Sequence, residues 1–105
     1  MPAAMVVLTT TASREEADRL AGALVEQRQA ACVQIVGPIG SVYRWKEQVE
    51  RSEEWLCLIK TDESHYPALE AAICQQHSYE VPEIIALPIT AGSTDYLAWL
   101  SKAVE

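Results

Sequence analysis

Phenylalanine is absent from this 105-residue chain, and histidine occurs only twice, at His65 and His77. The first absence leaves three tryptophans, four tyrosines and the aliphatic residues to fill a core. The second leaves few imidazoles for acid–base or metal chemistry. Basic residues are also scarce, 8 against 15 acidic ones, for a formal net charge of −7. They are scattered and form no stripe, so neither a nucleic-acid partner nor an anionic membrane surface is expected. The four glycines fall in unrelated bends, so no glycine loop cradles a phosphate. No apolar run reaches the length of a membrane span, and the opening "MPAAMVVLTT" lacks the basic region and long apolar run of a secretory signal. The three cysteines, Cys32, Cys57 and Cys74, are odd in number and widely spaced, which suits neither a disulfide framework nor a CxxC zinc site. Free thiols in a reducing, cytoplasmic setting are expected instead. No nucleophile with a base and an orienting partner is readable, so the expectation is a protein that is not an enzyme and has no organic cofactor.

What is present is a regular alternation of patterns, expected to form one domain over residues 1–105. The β-branched "MVVLTTT" (Met5–Thr11) predicts a short buried strand. Ser13 with Glu16 three positions on predicts a capping box, and Ala17, Leu20, Ala21 and Leu24 predict one face of a helix. "ACVQIV" (Ala31–Val36) predicts the second strand, interrupted by "GPIG" at a bend or bulge. It resumes through "SVYRWKE", with Ser41, Tyr43 and Trp45 on one face. A turn near Glu47–Gln48 returns the chain through "VERSEEWLCLIKT", completing a long hairpin. Its proximal half, Trp55 to Ile59, is apolar on both faces and needs cover on both sides. "DESHYPALEAAICQQH" predicts a second helix, capped by Ser64 and lined inward by Tyr66, Leu69 and Ile73. Glu83–Thr90 predicts the fourth strand, with Pro88 at an edge or its end. "TDYLAWLSKA" predicts a short closing helix.

The order β-α-β-β-α-β, then α, predicts an α+β, ferredoxin-like sandwich with two helices on one face of a four-stranded antiparallel sheet. The other face is also apolar, which implies self-association.

The segments "AACVQI", "SVYRWKEQVE", "LIKT", "YEVPEIIALPI" and "DYLAWL" run collinearly from about Val6 to Leu100, and the chain resembles the CutA family of divalent-cation-tolerance proteins. The resemblance implies a tight homotrimer similar to that of the PII signal proteins, with long β2–β3 hairpins embracing neighbours. It implies a role in tolerance to copper or another divalent cation, and no established catalysis. In one branch of the family copper ligation uses a first-strand Cys and a His pair at the end of the second helix. The matching positions here are Thr9, Gln76 and His77, so one imidazole of that set remains. Cys32 also matches a family position, and Glu47 stands where the hairpin turn usually has glycine.

The candidate metal ligands are therefore His77, Cys32 and Glu83. His77 reads equally as a helix-terminal residue, and Cys32 as a small buried side chain. Tyr43, Trp45 and Trp55 could wall an aromatic pocket or pack between subunits. Lys60, Tyr79, Glu80 and Glu83 could line the same cleft or tie down the turn "HSYEVPEI". Two functions follow: a trimeric cytoplasmic divalent-metal-tolerance protein binding copper weakly, or a PII-like signalling module holding a small ligand or an unknown protein partner at the subunit cleft.

Overall fold

The computed structural model describes residues 2–105. Four strands and three helices follow in the order β1 (Ala4–Thr11), α1 (Arg14–Glu26), β2 (Cys32–Trp45), β3 (Gln48–Asp62), α2 (Tyr66–Gln76), β4 (Ile85–Pro88) and α3 (Thr94–Ala103). The sheet runs β2-β3-β1-β4 and every neighbouring pair is antiparallel. This is the ferredoxin-like arrangement expected from the pattern. Strand and helix alternate so that β1 and β3 become the central strands, each flanked on both sides.

Strand parity decides where the core lies. Val7, Thr9 and Thr11 of β1, with Cys57 and Ile59 of β3, are buried beneath α1 and α2. The helices answer with Ala17, Leu20 and Leu24 of α1 and Leu69, Ala72 and Ile73 of α2. The opposite parity is left largely open. Val36, Ile85 and Leu87 are 48–49% exposed there. Only its near end is covered, where Leu100 of α3 and Val104 just past its end pack with Ala4, Ala31 and Ile89.

β2 and β3 form one hairpin that gives the molecule its 44 Å long axis. "GPIG" does not break β2, but the register shifts between Val36 and Ile39, as a bulge requires. Gly37 is required there for space. A Cβ on it would stand 2.4 Å from Cδ1 of Trp55 on the neighbouring strand. The turn closes on Lys46 and Glu47, with φ of 50° and 68°, and Trp45 pairs with Gln48. Two left-handed residues between paired strands make the type I′ geometry that fits strand twist. The turn therefore keeps its form without glycine, at the cost of placing two side-chain-bearing residues in a sparsely populated region.

Three local expectations change. β4 spans only Ile85–Pro88, because the residues before it are held in the junction described below. Ser64 does not cap α2; the helix begins after His65, and the Asp62 carboxylate accepts the His65 N–H at 3.0 Å. Ser64 donates to the same oxygen at 2.8 Å, as does the His65 ring at 2.7 Å. Cys74 and Cys57, on an apolar helix and an apolar strand, are both expected in the core; Cys74 is exposed on α2, whereas Cys57 is buried.

Candidate functional site

Helix α2 ends at Gln76, and the next residues, His77-Ser78-Tyr79, are tied in succession to three different elements. The His77 ring is buried, with side-chain exposure of 0%. Its Nε2–H donates to the carbonyl of Thr10 in β1 at 2.7 Å, and its Nδ1 accepts the Tyr79 N–H at 3.0 Å. Ser78 donates its backbone N–H and its hydroxyl to the Glu16 carboxylate of α1, at 2.9 and 3.0 Å. Tyr79 donates its phenol to Oε2 of Glu54 in β3 at 2.7 Å.

Glu16 begins as the capping-box residue the sequence suggests, and its N–H does reach Oγ of Ser13 at 3.1 Å. Its carboxylate does not return to Ser13. It accepts instead from Ser78 and, at 3.4 Å, from Ala12 N–H. Burial pushes the Glu16 carboxyl up. The Ser78 amide and hydroxyl, the His77 ring at 3.7 Å and the Ala12 amide outweigh burial and hold it below its ordinary value. Tyr79 shifts the other way: burial first, then the bond to Glu54 and its charge, push the phenol far above its usual range. Cys57, beneath the same region, is pushed up to about 11 by burial and then by Asp18 and Glu16, which makes it a poor thiolate.

Beyond this junction the chain runs along the hairpin toward its tip and borders an open cleft of about 730 Å³. Tyr43 and Trp45 of β2 and Glu54 of β3 form one wall, and Ser78 through Glu83 form the other. These β2 and β3 residues share the face that the helices leave uncovered. Tyr43 Oη is held to Ser52 Oγ at 3.2 Å, and Lys46 crosses the mouth of the cleft 4.0 Å from Glu80.

Residues 5–103 match the family described as CutA1 divalent ion tolerance protein. The chain belongs to the CutA1 family. The divalent-cation tolerance protein CutA of Thermus thermophilus is 48% identical over 97 residues, which is 92% of this chain and 94% of that protein. The chloroplastic protein CutA of Arabidopsis thaliana is 44% identical over 101 residues, 96% of this chain and 56% of that longer protein. The solved CutA1 structure from Oryza sativa shares 43% identity and a TM-score of 0.94, covering 97% of this chain and 94% of that one.

Within this CutA1 chain the expected site residues divide into three places. Tyr43, Trp45, Tyr79, Glu80 and Glu83 meet in the cleft. Trp55 lies against Gly37 and packs on the helix-side core instead. Lys60 pairs in register with Cys32, six residues along β3 from Glu54, or ~20 Å at strand rise. Its ammonium is bonded to Gln34. Cys32 is half-buried at that end of the sheet, near the Tyr96 hydroxyl of α3. His77, Cys32 and Glu83 are thus not gathered by one chain, and among the described residues no three His, Cys, Asp or Glu side chains stand where they could hold a metal ion. The sequence reading missed Glu16 and Glu54, which are 6% exposed. Glu16 was absorbed by its capping role. Glu54 carried one signal, a carboxylate next to the apolar half of its strand, on the same face as Leu56 and Leu58.

Proposed function

We propose that this CutA1 family member works as a cytoplasmic homotrimer in the response to divalent cations, and that it holds copper or a similar ion weakly. The observation that carries the reading is the helix-free face of the sheet. Val36, Ile85 and Leu87 lie on it, and Tyr96 and Trp99 stand beside it, 41–49% exposed in a single chain. A contiguous apolar surface of this kind calls for cover by another protein surface, and a copy of the same chain is the partner the family resemblance supplies. Three free thiols suit the reducing compartment. Weak binding follows from the ligands. His77 must surrender the Tyr79 N–H before its Nδ1 can meet a metal, whereas Cys32 is half-buried and Glu83 is exposed. Calorimetry with Cu(I), Cu(II) and Zn(II) tests this. Binding should weaken by about tenfold in Cys32→Ser, the soft ligand for Cu(I), while His77→Ala should change stability more than affinity. Unchanged affinity in Cys32→Ser and Glu83→Gln would falsify the ligand assignment.

A second reading, a PII-like module that holds a small ligand, is favoured by the cleft itself. Its volume of about 730 Å³ falls in the range of small-molecule sites, and its walls mix aromatic and charged groups.

A further inference from the structure

We infer that Nε2 of His65, at the start of α2, is a contact for a borderline divalent ion, Cu(II) or Zn(II); this rests on the divalent-cation reading and adds an imidazole outside the set His77, Cys32 and Glu83. The two histidines of the chain differ in what their rings have left to offer. The His77 side chain has an exposure of 0%, and both of its nitrogens are engaged, by the Thr10 carbonyl and the Tyr79 N–H. The His65 side chain is 32% exposed, and its hydrogen bonds are all made through Nδ1. Among the described residues its Nε2 has no partner, and it is not sealed from solvent.

Asp62 sets both the tautomer and the direction of the His65 ring. Its Oδ1 lies 2.7 Å from Nδ1 and also accepts the His65 N–H at 3.0 Å and the Ser64 hydroxyl at 2.8 Å. Burial pushes that carboxyl up, but these donors outweigh burial and leave it below its ordinary value, so it is ionised and can only accept. Nδ1 therefore carries the proton, and the lone pair of the neutral ring is left on Nε2. Ring and backbone of one residue are fastened to one buried oxygen, which holds the ring in place. A carboxylate on one ring nitrogen is how proteins orient an imidazole whose other nitrogen meets a metal, and it raises the basicity of that ligand. Imidazole suits copper and zinc, whereas calcium and magnesium take oxygen. No group of three His, Cys, Asp or Glu side chains is gathered among the described residues, so water keeps most coordination positions and the ion is held weakly. Asp62 is thus a positioning residue, and His65 is the ligand.

The test follows the ring resonances of both histidines in the full chain by NMR. Before metal is added, the nitrogen shifts of the neutral His65 ring should show a protonated Nδ1 and a bare Nε2; the opposite tautomer overturns the proposal. Substoichiometric aqueous Cu(II) should then broaden the His65 ring signals and leave those of His77 sharp, and Zn(II) should shift the same signals. Cu(II) affinity at this contact, read from the broadening, should fall by about tenfold in Asp62→Asn and by more in His65→Gln. The glutamine keeps the backbone N–H that Asp62 accepts, which guards against a misfolded Asp62 variant. Broadening centred on His77, or full affinity in either variant, overturns the proposal. Cys32→Ser and Glu83→Gln should leave the His65 broadening in place. If those two changes abolish copper binding and His65→Gln does not, the His65 contact is wrong and the Cys32 and Glu83 ligands stand. If neither ion moves any ring signal and calorimetry shows no binding, both readings fall.

Discussion

At the scale of single residues, buried carboxylates dominate. Asp62 is 4% exposed. Burial pushes its carboxyl up, but the His65 ring, the Ser64 hydroxyl and the His65 amide more than compensate and leave it below its ordinary value, as happens at Glu16. A carboxyl whose value is lowered by folding contributes stability that is whole above the ordinary carboxyl range. That contribution is lost as the pH falls through the lowered value. Urea midpoints should therefore drop steeply on acidification. In Asp62→Asn the midpoint at neutral pH should correspond to a loss of about 1–2 kcal/mol, and the acid limb should be shallower. An identical acid limb in that variant would show that Asp62 is not part of it. Gly37→Ala makes a steric test, since its Cβ would enter the Trp55 ring at 2.4 Å. The expected cost is about 1–3 kcal/mol, read from thermal or urea unfolding.

At the scale of elements, the periods of 2 and 3.6 were legible, and they placed β1, α1, the hairpin and α2 nearly where they lie. Ala17, Leu20 and Leu24 mark α1 because their spacing puts them on one stripe, and they are the residues that are buried. The junction was less legible. A sequence shows that Pro82 stops a helix, but not that Ser78 will take the side chain of Glu16 from 62 positions away. Nor does it show that His77 will spend both ring nitrogens on backbone groups. Such long-range pairings depend on tertiary placement and have no local signature. The hairpin turn offers the prediction at this scale. Lys46 and Glu47 occupy left-handed conformations that glycine and asparagine tolerate better. Replacing the pair by Asn-Gly should stabilise the fold by about 0.5–1 kcal/mol after glycine's larger entropy in the unfolded chain is counted. A lower melting temperature would contradict the type I′ assignment.

For the whole molecule the deciding asymmetry is between the two faces of one sheet. One is closed by α1 and α2. The other carries α3 at one end and exposed Ile85 and Leu87 along its edge strand. If copies of the chain cover that face, Leu87→Lys should lower the mass seen by sedimentation equilibrium while far-UV circular dichroism stays unchanged, because Leu87 contributes little to the core of its own chain. A wild-type monomer at micromolar concentration would remove the basis for the trimer. Family membership was legible because its matching segments lie along nearly the whole chain, whereas the cleft's inner carboxylate, Glu54, was not, because its burial is created by Tyr79 from a distant segment.

The threefold tie at His77, Ser78 and Tyr79 also bears on how the chain can change length. Each residue is anchored to a different element, so one extra residue inserted between His77 and Tyr79 would put the attachments to β1, α1 and β3 out of step with one another. The tip of the hairpin is held more loosely, by the exposed Lys46–Glu80 pair at 4.0 Å, and its exposed Val42 and Val49 flank a turn that faces solvent. A change of chain length is therefore tolerated better at the hairpin tip than at the junction, where it would break three attachments at once.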